Sequence, residues 1–250
     1  MTADQTGGTV VTGRANRLVT TGCLTVLAAL ITVLGVAVGW LWYRHWDDGK
    51  VNSDRRDEAY ASIQQRVRAE TDDTARALGE SRATDADTLT GVIRRHSQAP
   101  LITYDASRRE FTATVERFAQ YEEKALLGGG PVRVTRCFVV TYAHGEGRAW
   151  TSRFSERDDS VCLPGAEIEG LAGLTRKRIA NLYPEDLTEA GVRKALDPTG
   201  DVRGVVREVD TVTVSVVLSA ADATTSQCYR FTRPLNGSPD STTAVPASSC

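Results

Sequence analysis

Four cysteines carry the most definite chemistry in this chain of 250 residues. Outside Cys23, which lies in an apolar N-terminal segment, Cys137, Cys162, Cys228 and Cys250 form an even set confined to the C-terminal half. No C-x-x-C pair and no His–Cys cluster accompanies them, so the expected chemistry is oxidation to two disulfides rather than metal ligation. Four cysteines allow three pairings. A repeat in the sequence, set out below, favours Cys137–Cys162 and Cys228–Cys250, at spacings of 25 and 22 residues. The competing reading is four reduced, buried thiols in a cytoplasmic domain.

Other residue types offer less. His45 lies beside an apolar segment, His96 at the end of an expected helix, and His144 next to Glu146 in an expected turn. A helix-end histidine suits the dipole, and a turn histidine suits solvent. The chain lacks a G-x-S-x-G elbow, an H-E-x-x-H helix, a P-loop and a dinucleotide fingerprint. Asp72–Asp73 and Asp158–Asp159 do not follow the alternate-position pattern of a calcium loop. Arg176–Lys177–Arg178 is a short basic run of the kind found on ordinary surfaces. No catalytic residue, cofactor site or metal site is therefore expected. Basic and acidic side chains nearly balance, 30 against 32, which gives no reason to expect nucleic-acid binding. Arginine outnumbers lysine 26 to 4, a bias typical of high-GC coding.

The element that must position all this is Leu18–Tyr43, which holds 26 residues without a charge. A helix of that length spans about 39 Å, enough to cross a hydrocarbon core of about 30 Å. It is too long for a typical cleaved signal, although Ala37 and Gly39 would form a passable cleavage site. Trp40, Trp42, Tyr43 and Trp46 cluster at its end, where amphipathic rings prefer the headgroup layer. Gly35 and Gly39 form G-x-x-x-G and offer a contact for a homodimer through the membrane helix. Counting Lys and Arg slightly favours a cytoplasmic C-terminal part, because Arg14 and Arg17 stand against Arg44, Lys50, Arg55 and Arg56. The cysteines favour the opposite side, and the expectation is an extracytoplasmic one.

Beyond the membrane segment the chain resembles itself. Asp87–His96 (DTLTGVIRRH), Leu101–Tyr104, a strand from Arg109 and Cys137–Thr141 (CFVVT) make the first copy. Asp186–Leu196 (DLTEAGVRKAL), Val202–Val206, a strand from Asp210 and Cys228–Thr232 (CYRFT) make the second. Thr84 with Asp87 resembles a capping box, and Pro184 suits the first turn of the second helix. Phe111, Ala113 and Val115 alternate with polar residues, as do Val212, Val214, Val216 and Leu218, so each strand has one buried face. His144–Gly147 reads as a hairpin turn into Arg148–Phe154, whose Trp150 and Phe154 share a face. Asp54–Leu78 reads as a polar helix with a thin stripe of Ala59, Ile63, Val67, Ala75 and Leu78, either a stalk or the opening helix of the fold. Ile168, Leu171, Leu174, Ile179 and Leu182 suggest helical cover between the copies. Asn236–Ser249 reads as a polar tail tied only by Cys250.

The expected fold is α+β: one transmembrane helix, then two repeated modules of helix plus antiparallel β-meander. The expected boundaries are a cytoplasmic tail 1–17, membrane helix 18–43, juxtamembrane stalk 44–83 and modules 84–163 and 164–250. The expected function is that of a membrane-anchored, extracytoplasmic interaction or envelope accessory module, with the lipid bilayer and a protein of the cell envelope as partners. A surface-tethered enzyme is the competing class, and a deep pocket of polar groups around His144 or Trp150 would be its mark. In its order of membrane helix, helices and curved antiparallel strands, given twice, the chain also resembles the tandem cone-shaped, nuclear-transport-factor-like domains of conjugation and secretion apparatus subunits. That resemblance implies assembly into a multi-subunit transport machine.

Overall fold

In a computed structural model, residues 15–125, 128–145 and 149–250 are described, with side chains from residue 25 onward. The protein is α+β, with one long apolar N-terminal helix and two four-stranded antiparallel sheets. Its residues divide into two compact units.

The first unit is the described part of Met1–Arg56 together with Glu122–Val132. Its helix belongs to α1 (Ala15–Ser81), which among the described residues is the one helix long and apolar enough to cross a membrane. Its large apolar side chains from Val26 to Trp46 are exposed and join no core. The end of a hairpin between strands β2 and β3 is tied to this helix by reciprocal bonds. The Asn52 amide donates to Lys124 O at 2.7 Å, and Lys124 N–H donates to Asn52 Oδ1 at 2.8 Å. Arg55 donates to Glu122 O at 2.7 Å. Glycine is required here: Gly128 has φ +117°, and a Cβ on Gly129 would lie 1.7 Å from Glu123 O.

The second unit is Asp57–Tyr121 with Arg133–Cys250, and it holds both cores. The first sheet is an ordered meander of β1 (Leu101–Asp105), β2 (Glu110–Glu123), β3 (Gly130–His144) and β4 (Trp150–Arg157). Phe111, Ala113, Val115, Phe138, Val140 and Tyr142 line its inner face. Against them pack Ala59, Ile63, Val67 and Leu78 of α1, and Leu89, Val92 and Ile93 of α2 (Ala86–Ser97). Of the two readings of Asp54–Leu78, stalk or opening helix, the packing favours the second from Ala59 onward. The stripe recurs at helical spacing because it covers a sheet.

Leu163–Ala180 forms α3 and Glu189–Leu196 forms α4, with a 3-10 turn at Pro184–Asp186 between them. The second helix therefore starts later than its sequence match: Pro184 opens the 3-10 turn, and Thr188 caps α4 by accepting from Gly191 N–H. In α2 the cap is Asp85, which accepts from Thr88 N–H at 2.7 Å, rather than Thr84. The second sheet is β5 (Asp201–Arg207), β6 (Thr211–Ser219), β7 (Ser226–Pro234) and β8 (Thr243–Ala247), again a meander. Val212, Val214, Val216 and Leu218 are fully buried against Ile168, Ile179, Val192 and Leu196. β8 overturns the expected loose tail: it is the fourth strand of the sheet, paired from Thr232↔Thr243 to Cys228↔Ala247.

Candidate functional site

The four cysteines of the C-terminal half come together in two pairs. Cys137 and Cys162 form one disulfide and Cys228 and Cys250 the other, with Cα–Cα distances of 5.7 and 5.5 Å. Cys137 alternates with inward-facing Phe138 on β3, and Cys162 directly precedes α3. The first bond therefore ties the first sheet to the helix that covers the second, and the second bond holds the chain end on β7.

Helix α2 serves both sheets. One face fills the first core, while its first turn meets the second sheet. Asp87 accepts from Ser248 N–H at 2.9 Å and from Ser248 Oγ at 2.6 Å, and it pairs with Arg230 at 2.5 Å. Burial pushes the Asp87 pKa up, but the Ser248 hydroxyl and N–H and the Arg230 guanidinium outweigh it. The net value lies below the usual carboxylate value. Two further bonds join the edge of the first sheet to the second. Ile102 N–H donates to Gln227 Oε1 at 2.9 Å, and Tyr229 Oη donates to Pro100 O at 2.8 Å. Burial pushes the Tyr229 phenol up to about 12.

Where α2 passes α3, the surface opens into two neighbouring hollows. Arg94 lines the first and donates at 3.0 Å to Glu169, which lines the second. On one side lies an open cleft of about 610 Å³ between α2, α3 and β8, with Arg94, Arg95, Arg176, Gln98, Asp240 and Thr243 in its walls. Arg95 and Arg176 are exposed and have no hydrogen-bond or ion-pair partner among the described residues. Against them stands one exposed carboxylate, Asp240, so the cleft presents a net positive charge. On the other side, a hollow of about 410 Å³ contains Glu70, His96, Glu116, Arg117 and Arg133. Most of its charges are paired, Glu70 with Arg117 at 2.8 Å and Glu116 with Arg133 at 3.9 Å, while Arg66 in the same wall has no ion-pair partner among the described residues. His96 Nδ1 lies 3.0 Å from Asp73 Oδ2, the helix-end environment expected of it.

A separate cavity of about 410 Å³ lies at the open end of the first core, lined by Thr84, Leu89, Tyr104, Arg109, His144 and Trp150. Rings cross the sheet here strand by strand. Tyr104 stacks on Phe111 at 4.4 Å, Phe111 meets Trp150 at 5.8 Å, and Trp150 meets His144 edge-on at 5.1 Å. His144 and Trp150 are direct cross-strand partners. Glu146 of the expected His–carboxylate pair and the turn into Arg148 lie outside the described residues.

The remaining expected residues stay apart from these hollows. Trp40, Trp42, Tyr43 and Trp46 are 57–74% exposed on α1, with the Arg44 guanidinium over the Trp40 ring at 5.4 Å. Gly35 and Gly39 face open space. The sequence reading missed Arg94, Arg95 and Arg176 as a group; of the ring-lined cavity it named His144 and Trp150 as the place where a pocket would count, but not Tyr104, Phe111 or Arg109. The arginines belong to different elements, and no local spacing joins them. Tyr104, Arg109 and His144 flank turns, which is the signal that could have located the cavity. No family model, no curated protein and no solved structure matches this chain.

Proposed function

We propose that this is a single-pass membrane protein whose C-terminal part lies outside the cytoplasm and docks an acidic segment of an envelope partner in the α2–α3–β8 cleft. The observation that carries the docking reading is the pair of unpartnered cations, Arg95 and Arg176, which α2 and α3 bring into one cleft beside β8. The apolar, exposed stretch Val26–Trp46 supports a bilayer as its solvent. The two disulfides support an oxidising compartment. On this reading Trp40, Trp42, Tyr43 and Trp46 mark the outer interface, and Gly35–Gly39 offers a dimer contact. The like order of helix, four-stranded meander and third-strand cysteine in both halves further supports duplication of one module.

Two experiments test the proposal. Protease added to intact cells should digest the C-terminal part, and full protection there would overturn the compartment assignment. Cross-linking at the membrane should then recover a partner whose yield falls about tenfold or more in Arg95→Glu/Arg176→Glu. An unchanged yield would overturn the cleft. A second reading, a subunit of a conjugation- or secretion-type assembly, is favoured by the element order alone. Recovery of several membrane proteins in fixed stoichiometry, rather than one partner, would favour it.

A further inference from the structure

We propose that the ring-lined cavity at the end of the first core binds a sugar residue carrying a carboxylate. Its placement outside the cell rests on the compartment reading above, but the chemistry of recognition does not. The simplest alternative is that the rings only seal the core. Phe111, with no exposed surface, already does so, and Leu89 is 5% exposed beneath the cavity. Tyr104 and Trp150 are half-buried beyond that seal and leave about 410 Å³ between them, within the range of small-molecule sites. The side chains of Tyr104, Arg109, His144 and Trp150 have no hydrogen-bond partner within the described chain.

The lining decides the ligand class. Trp150 and Tyr104 offer flat faces to the C–H surface of a pyranose ring. Arg109 can only donate hydrogen bonds, as can the Trp150 indole, while Thr84, Tyr104 and His144 supply groups that suit hydroxyls. Among the described residues no carboxylate lines the cavity and Arg109 is its one lasting charge, so an anionic ligand finds a counter-charge there and a cationic one does not. Arg109 matches a carboxylate with its planar fork. The turn aims it. Asp105 accepts from Ser107 and Arg108 and pairs with Arg108, which leaves Arg109 in a left-handed conformation with φ 51° and its guanidinium unengaged.

The chain's other three tryptophans are Trp40, Trp42 and Trp46. Replacing each by Phe in the full-length protein in nanodiscs leaves Trp150 as the sole indole reporter. A disaccharide of glucuronic acid and N-acetylglucosamine should shift its emission saturably. The neutral glucose analogue should bind about tenfold more weakly, for want of the charge-assisted pair. Arg109→Asn, a residue that tolerates the left-handed backbone, should reduce acidic-sugar binding by about the same factor without moving the thermal midpoint. His144→Gln should weaken both sugars alike. No saturable shift with the acidic disaccharide would overturn the proposal. So would equal binding of the neutral sugar, equally tight binding of benzoate, or indifference to Arg109→Asn. The titration uses purified protein and is blind to membrane sidedness, so its failure is distinguishable from failure of the protease experiment.

Discussion

Arginine, read in the sequence as a compositional bias, as membrane-flanking charge and, at Arg176–Arg178, as ordinary surface, has structural work at single positions. Arg117 on β2 bonds Glu70 of α1 and donates to Ser97 O at the end of α2. Arg233 on β7 donates to Ile179 O and Leu182 O at the end of α3. Arg178 reaches Ala195 O and Thr199 Oγ1 at the end of α4. Each satisfies carbonyls that a helix C-terminus leaves open and places a cation where the dipole favours one. Lysine lacks the fork needed to hold a carboxylate and a carbonyl together, so Arg117→Lys should destabilise the protein by about 1–3 kcal/mol, read by chemical denaturation. Asp87 makes a pH prediction. Its folded pKa is depressed, so its stabilisation is present above the unfolded value, about 3.9, and is lost as pH falls through the folded one. Asp87→Asn should cost about 1–2 kcal/mol at neutral pH, and the difference from wild type should vanish in acid. A constant difference across pH would show that the carboxylate charge is irrelevant.

At the level of elements, legibility followed local periodicity. Val212, Val214, Val216 and Leu218 are legible as a strand because period two with β-branched residues is a local signal, and all four are fully buried. The α1 stripe of Ala59, Ile63 and Val67 is equally local, but whether a thin stripe meets solvent or a sheet depends on strands more than 40 residues away in sequence, such as Phe111. β8 is illegible for a different reason. It has five residues and contains Pro246, which reads as a strand breaker. As the last strand in its sheet it has a free edge, the one setting that tolerates a missing N–H. The candidate sites were the least legible. Their residues come from four strands or from α2, α3 and β8, so only tertiary structure assembles them. The disulfide at Cys250 closes a 22-residue separation around β8, worth about 3.5 kcal/mol in the chain-entropy model. Cys250→Ser should therefore expose β8 first. Amide exchange at 243–247 should rise well before exchange at β6, whereas uniform acceleration across the sheet would mean that the bond stabilises no particular element.

For the whole of the second unit, the decisive fact is that its two cores share a helix. Leu89, Val92 and Ile93 of α2 complete the first core, while Asp87 on the same helix holds Arg230 and Ser248 of the second sheet. The Cys137–Cys162 bond adds a covalent tie between the first sheet and the start of α3. Losing α2 from either side strips the other of packing, so the two sheets should melt as one body rather than in sequence. Ile93 has no exposed surface and belongs to the first core, which makes it a clean probe. Ile93→Ala should cost about 2–5 kcal/mol by emptying buried volume. If the cores are coupled, that loss should appear equally in amide exchange of Val212–Leu218 in the second core and of Phe111–Val115 in the first. Accelerated exchange confined to β2, with β6 unchanged, would mean two independent domains. The α2–α3–β8 cleft would then be a flexible seam rather than a preformed site, and a rigid acidic partner would gain little from it.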